Sequence, residues 1–183
     1  MGPFEPLVVL GIDPGSLVTG YGVVRAVGLE VAVIACGAVR PRPGRVAERL
    51  VELYERVRGL IAEFAPDEVA VEEPFTRVNA RSAFVLGKAQ AAAVLAAAHA
   101  GLPVFEYTPA AVKQAVTSYG RSDKAQVQEM VRLQLGLAAA PQPPDAADAL
   151  AVALCHVAGR RTRALVSAHR ARGAPGPRAT TGR

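Results

Sequence analysis

The spacing of hydrophobic positions changes several times along the chain. Leu7-Val8-Val9-Leu10-Gly11-Ile12 is a continuous apolar run closed by Asp13-Pro14-Gly15-Ser16, which predicts a buried strand ending in a turn. Tyr21 to Val27 and Leu29 to Val39 are rich in valine and separated by Gly28, the pattern of two strands joined as a hairpin. After a loop from Pro41 to Gly44, Val46, Leu50, Leu53, Val57, Leu60, Ile61 and Phe64 recur at helical spacing with Glu and Arg between them. Pro66 closes that helix, and Val69-Ala70-Val71 predicts a fourth strand. An alanine-rich helix over 81–99 is stopped by Gly101 and Pro103, and Val104-Phe105-Glu106-Tyr107 predicts a fifth strand. Helices over 109–117, 123–135 and 145–158 complete the body. The chain contains neither an internal repeat nor a second domain.

Three strands in antiparallel order, then alternating helices and strands, imply an α/β architecture. The expected fold is a mixed five-stranded sheet with helices on both faces, the ribonuclease-H-like layout. Residues 1–6 are read as an N-terminal extension, 7–158 as the domain and 159–183 as a flexible arginine-rich tail.

Composition narrows the function classes. Of the 183 residues 51% are hydrophobic, which excludes wholesale disorder. No run reaches the roughly 18 apolar residues of a membrane span. The amino terminus lacks a basic start followed by an apolar stretch, so no signal peptide is expected, and Pro6 stands where a myristoylation motif wants Ser or Thr. Cys36 and Cys155 lie in apolar surroundings without metal-ligand spacing and read as small buried hydrophobes in a reducing cytoplasm. The net charge of +5 is unevenly placed, because residues 159–183 hold seven arginines and no acid. A mobile cationic tail favours a polyanionic partner, although it serves solubility equally well.

Four acids stand where acids are costly. Asp13 follows directly on a buried strand; an Asp in such a turn caps neighbouring N–H groups, and a Gly-flanked turn also suits phosphate. Strand alternation puts Val69 and Val71 on one face and Ala70 and Glu72 on the other, with Glu73 pointing away from Glu72. If helices cover both faces, one of these two acids needs a partner. Asp145 and Asp148, three apart, share one face at the start of the last helix. Capping and the helix dipole account for Asp145, but Asp148 is surrounded by small apolar residues. A bound cation would relieve that burial. Clustered oxygen donors without a Cys or His set suit Mg²⁺ or Mn²⁺. Two such ions about 3.5–4 Å apart clamp a phosphodiester, one activating the attacking water and the other stabilising the departing 3′ oxygen.

At this point the motifs resemble a known family. Gly11-Ile-Asp-Pro-Gly-Ser-Leu-Val-Thr-Gly-Tyr-Gly-Val-Val24, Val71-Glu-Glu-Pro-Phe75, Asn79-Ala-Arg-Ser-Ala83, Leu86-Gly-Lys-Ala-Gln90, Pro103-Val-Phe-Glu-Tyr107, Val112-Lys-Gln114, Asp123-Lys-Ala-Gln-Val-Gln128 and Asp145-Ala-Ala-Asp-Ala-Leu-Ala151 are similar, in order, to the RuvC Holliday-junction resolvases. The resemblance runs from about residue 7 to 158. It implies a crossover junction endodeoxyribonuclease that makes paired symmetric nicks, leaving 5′-phosphate and 3′-hydroxyl ends, in DNA recombination and repair. It implies four metal-binding catalytic acids, Asp13, Glu72, Asp145 and Asp148, and selects Glu72 over Glu73. It also implies two Mg²⁺ per site with Mn²⁺ as substitute, a homodimer and cooperation with a RuvA–RuvB branch-migration motor.

The resemblance further implies that Phe75 stacks on an unpaired base and that Lys113 and Lys124 contact phosphate or act at the catalytic site. Asn79, Arg81, Lys88 and Arg121 follow as candidate DNA contacts. Read from the residues alone, Phe75 is a core aromatic, Asn79 a helix cap and each cation a solvated charge. His99 and His156 lie on apolar helices and read as core or edge residues. The alanine-rich helix is either a dimer face or simply packed on the sheet. Glu73-Pro74 is more acidic and stiffer than the family pattern, which leaves the local loop shape open. Three rival functions share some of these features: a ribonuclease-H-like nuclease acting on RNA or RNA–DNA hybrids, a nucleotide-binding protein of the actin and sugar-kinase class, and a non-catalytic junction-binding module.

Overall fold

The computed structural model describes residues 5–15, 17–74, 80–118 and 122–173. Its elements are β1 (Leu7–Asp13), β2 (Thr19–Val27), β3 (Glu30–Val39), α1 (Val46–Phe64), β4 (Glu68–Glu72), α2 (Ala80–His99), β5 (Val104–Tyr107), α3 (Pro109–Thr117), α4 (Lys124–Gln134) and α5 (Pro144–Gly173). The strands form one sheet in the order β3-β2-β1-β4-β5. The first three pair antiparallel, and β4 and β5 join parallel to β1. Among the described residues, no helix is long and apolar enough to cross a membrane.

Period-two alternation sorts the strand residues to two faces. Leu10, Ile12, Val23, Val69 and Val71 pack with Leu53 and Val57 of α1 and with Ala89, Ala93, Ala96 and Ala97 of α2. Leu7, Val9, Val24 and Ala70 pack with α3, α4 and α5 through Val112, Val116, Val127, Val131, Leu150 and Ala153. The sheet is therefore covered on both sides, as the element order predicts. Those four alanines of α2 are buried within the chain, which assigns that side of the helix to the sheet and α1. Phe84 and Leu95, at 72% and 51% exposure, leave its other side uncovered. Both cysteines are free; Cys155 is buried and Cys36 only half-buried.

One boundary departs clearly from expectation. The last helix was expected to end at 158, yet α5 runs to Gly173. Gly159, which costs a helix only about 1 kcal/mol, is followed by arginine, alanine and leucine, all good helix formers. The first proline beyond it is Pro175. Arg160 also pairs with Glu68, and Arg161 donates to the Glu30 carbonyl at 3.3 Å, so tertiary contacts hold the extension past residue 158.

Candidate active site

Two neighbouring strands end in acids. Ile12 pairs with Val71 in the parallel β1–β4 ladder, so Asp13 and Glu72 leave the sheet side by side. Alternation aims both at the face covered by α5, because Asp13 follows Val9 and Gly11, and Glu72 follows Ala70. The first turns of α5 supply Asp145 and Asp148.

Glycines let α5 come down onto the strands. A Cβ on Gly11 would run into the Ala149 carbonyl and Ala153, one on Gly20 into the Asp145 carbonyl, and one on Gly22 into Leu150. With no side chain between helix and sheet, the acidic end of α5 lies over the ends of β1 and β4. Asp13, Glu72 and Asp148 line a cleft of about 600 Å³ with Pro109, Val112, Lys113, Lys124, Val127 and Ala151. Asp145 is not among the lining residues, but its charge reaches Asp13 and Lys124.

The two lysines come from the helices that roof the cleft. Thr108 caps α3, its hydroxyl accepting the Ala111 N–H at 3.2 Å with Pro109 following as first helical residue, and Lys113 sits one turn in. Asp123 caps α4 in a reciprocal box: Asp123 Oδ1 accepts the Gln126 N–H at 2.8 Å, and Gln126 Oε1 accepts the Asp123 N–H at 3.2 Å. Lys124 therefore occupies the first helical position, where the helix dipole disfavours a cation. Its Nζ pairs with Asp148 Oδ2 at 2.6 Å instead.

The charges are poorly balanced. Burial, then the charges of Asp13 and Asp148, push the Glu72 carboxyl up from 4.5 to about 8, against the opposing pull of Lys113 and Lys124. Burial, then Asp148, push Asp13 up from 3.8 to about 6; Asp145 adds to this and Lys124 opposes it. The hydrogen bond to Asp148 raises the Lys124 ammonium above its ordinary range. Among the described residues, no three carboxylate, imidazole or thiol side chains already stand at the spacing of a filled ion site. The acids are gathered around one cleft rather than closed on one point. Their chemistry nonetheless fits a hard divalent cation: the donors are all oxygen, and they carry more negative charge than the two lysines compensate.

The remaining expected residues divide. Glu72 lines the cleft and Glu73 does not; the Glu73 N–H donates to the Tyr107 carbonyl at 2.8 Å. Lys88 is exposed on α2, on the other face of the sheet, with its ammonium 5.5 Å from the Phe84 ring centroid; it is not brought to the acids. Phe75, Asn79 and Arg121 lie outside the described residues, as does the side chain of Arg81. His99 accepts or donates a 2.6 Å hydrogen bond with Tyr54, remote from the cleft. His156 is fully buried as expected of a core position, but it is a polar hub, with Nε2 2.5 Å from Glu68 Oε2 and Nδ1 2.8 Å from the Tyr107 hydroxyl. Sequence reasoning missed this network and also the role of Gly20 and Gly22. Glycines at alternate positions within a valine-rich strand were the available signal for a close helix approach.

The family model described as Crossover junction endodeoxyribonuclease RuvC matches residues 9–156. The chain belongs to the RuvC family. It is 50% identical over 151 residues to the crossover junction endodeoxyribonuclease RuvC of Pelotomaculum thermopropionicum, a match spanning 82% of this chain and 92% of the relative. The RuvC of Rubrobacter xylanophilus is 50% identical over 158 residues, spanning 86% of this chain and 88% of the relative. Among solved structures, Thermus thermophilus RuvC aligns with a TM-score of 0.78 at 39% identity, covering 86% of this chain and 97% of that one. The same organism's RuvC in complex with Holliday junction substrate aligns with a TM-score of 0.79 at 41% identity, over the same shares of the two chains. The yeast mitochondrial Holliday junction resolvase Ydc2, at 13% identity and a TM-score of 0.58, shares the fold. The expected α/β architecture and the expected enzyme class, an endodeoxyribonuclease, both stand in this RuvC-family chain.

Proposed function

We propose that this chain resolves Holliday junctions, hydrolysing phosphodiesters in four-way DNA with divalent cations held by Asp13, Glu72, Asp145 and Asp148. The observation that carries the reading is the convergence of acids from β1, β4 and α5 on one cleft roofed by two lysines. Such a set has no evident structural use, since buried carboxylates that repel one another weaken a fold. The T. thermophilus relative is described in complex with Holliday junction substrate, which supports the choice of DNA.

Asp13, Glu72, Asp145 and Asp148 would hold two Mg²⁺ ions, or Mn²⁺ in their place, which when bound would supply an activated water and neutralise charge developing on the phosphodiester. The chain's own residues do the rest. Asp13 and Glu72 offer oxygens from the rigid ends of paired strands, and Asp145 and Asp148 offer theirs from the first turns of α5. Lys124 tethers Asp148 until substrate arrives, and Lys113 and Lys124 present positive charge to the phosphate. Val112, Val127 and Ala151 keep one wall apolar and exclude stray water. Action as a homodimer making paired symmetric nicks, with 5′-phosphate and 3′-hydroxyl products, and alongside a RuvA–RuvB motor, completes the proposal.

The test offers the purified protein a labelled four-way junction, an RNA–DNA hybrid and a plain duplex with Mg²⁺. Paired nicks confined to the junction are expected; cutting of the hybrid instead would replace this reading with an RNA-directed nuclease. Asp145→Asn and Asp148→Asn are each expected to abolish cutting while junction binding survives. A variant of either that cuts at wild-type speed removes the metal assignment.

A further inference from the structure

The contact between α5 and the strands around the site is built from small residues. Gly11 and Gly20 meet Ala149, Ala153 and the backbone at Asp145, and Leu150 over Gly22 is the large side chain set into this contact. The small residues permit close approach but interdigitate little, so along that stretch they resist axial sliding less than a fully interlocked surface does. Yet Asp145 and Asp148 must stay in register with Asp13 and Glu72. The directional contacts that could hold that register lie farther along the same helix, at His156.

His156 is fully buried, and both ring nitrogens are engaged. A carboxylate only accepts, which puts the ring proton on Nε2: Nε2–H donates to Glu68 Oε2 at 2.5 Å, and Nδ1 accepts from the Tyr107 hydroxyl at 2.8 Å. Arg160, one helical turn on, pairs with the other oxygen of Glu68. The Phe105 ring packs against the imidazole with centroids 4.7 Å apart. These partners stand at informative places. Glu68 begins β4, the strand that Glu72 ends. Tyr107 is the register partner of Glu72 across the β4–β5 ladder. One imidazole thus ties the helix carrying two of the acids to the start of the strand carrying a third, and to the residue beside that third acid.

We propose that His156, through Tyr107 and Glu68, is a positioning residue that holds α5 in axial register with β4, and so sets the affinity of the carboxylate cluster for divalent cations. It touches neither the cleft nor substrate. The inference rests on the reading of Asp13, Glu72, Asp145 and Asp148 as the cation-holding set.

Tyr107→Phe tests it with the least disturbance, removing one hydroxyl and leaving the ring. Titration calorimetry with Mn²⁺ alone should show about ten-fold weaker binding than wild type. The Mg²⁺ midpoint for junction cleavage should rise by about the same factor, while metal-free affinity for the junction stays unchanged. His156→Gln, which breaks both contacts, should show the same two shifts, larger. If Tyr107→Phe binds Mn²⁺ and cuts as wild type, or lowers only the melting temperature, the positioning role is overturned and the network is merely structural. Asp148→Asn, run in parallel, separates this failure from a wider one. If that variant binds Mn²⁺ and cuts normally, the cation-holding reading itself is wrong; if it is inactive while Tyr107→Phe is unaffected, only the positioning role falls.

Discussion

Without divalent cations, raising the pH through neutrality should loosen this fold, with Glu72 as the chief cause. In the unfolded chain its carboxyl loses its proton near the ordinary 4.5, while in the folded chain burial and the neighbouring carboxylates hold the proton to about 8. Between those values the folded state binds more protons, so stability falls as pH rises and the loss is complete above about 8. At about 1.4 kcal/mol per pH unit, the displacement amounts to at most about 5 kcal/mol. Relaxation of the cleft and entry of water lower that ceiling, and about 2–3 kcal/mol is the expected loss. For a domain of this size that lowers the melting temperature by about 5–10 °C.

The assay is thermal unfolding of wild type and Glu72→Gln in chelator at pH values from about 5 to 8, followed by Mg²⁺ addition. His156 acts in the opposite sense: burial holds its imidazole down to about 4 against an ordinary 6.5, so its contribution strengthens as pH rises through that interval. The difference between wild type and Glu72→Gln isolates the carboxylate. Wild type should lose more stability than the variant across the window, and Mg²⁺ should restore wild type alone. A wild-type curve that is flat, or that rises relative to Glu72→Gln, would refute the claim that these carboxylates repel one another in a shared buried site.

Three further outcomes follow from the packing and the charges. Gly11→Ala drives a methyl group into the Ala149 carbonyl and Ala153, and should cost about 1–3 kcal/mol in denaturant unfolding while displacing α5 and slowing junction cleavage. Lys124→Ala should lower the cleavage rate at saturating Mg²⁺ by about 100-fold in single-turnover assays, with junction affinity little changed; an unaffected rate would reduce the lysine to a countercharge for Asp148. Burial pushes the Cys155 thiol up to about 11, so an alkylating reagent near pH 8 should leave it unmodified in the folded protein and label it after denaturation, as peptide mass analysis would show.

Much of the architecture can be read from residue order, because alternation and helical spacing are local properties. The valine-rich hairpin around Gly28 and the amphipathic α1 follow from short windows, and the mixed sheet from the order of the elements. The choice of face is equally local: Val69 and Val71 point one way and Ala70 and Glu72 the other, whatever covers them. That places Glu72 rather than Glu73 on the side of Ala70, and spacing alone puts Asp145 and Asp148 on one side of a helix.

Proximity between distant segments belongs to the tertiary structure. No local pattern states that Ile12 pairs with Val71, and only that register sets Asp13 beside Glu72. Nor does a local pattern disclose that Gly11, Gly20 and Gly22 leave room for α5, or that His156 finds Glu68 and Tyr107 inside the protein. Helix length also depends on distant partners, since Arg160 and Arg161 gain contacts with Glu68 and Glu30 that no composition rule contains. The sequence by itself determined which residues could serve, through periodicity and the chemistry of each side chain. Only the folded chain decided which of them meet, because burial, electrostatic repulsion and hydrogen bonding act across space and are blind to separation along the backbone.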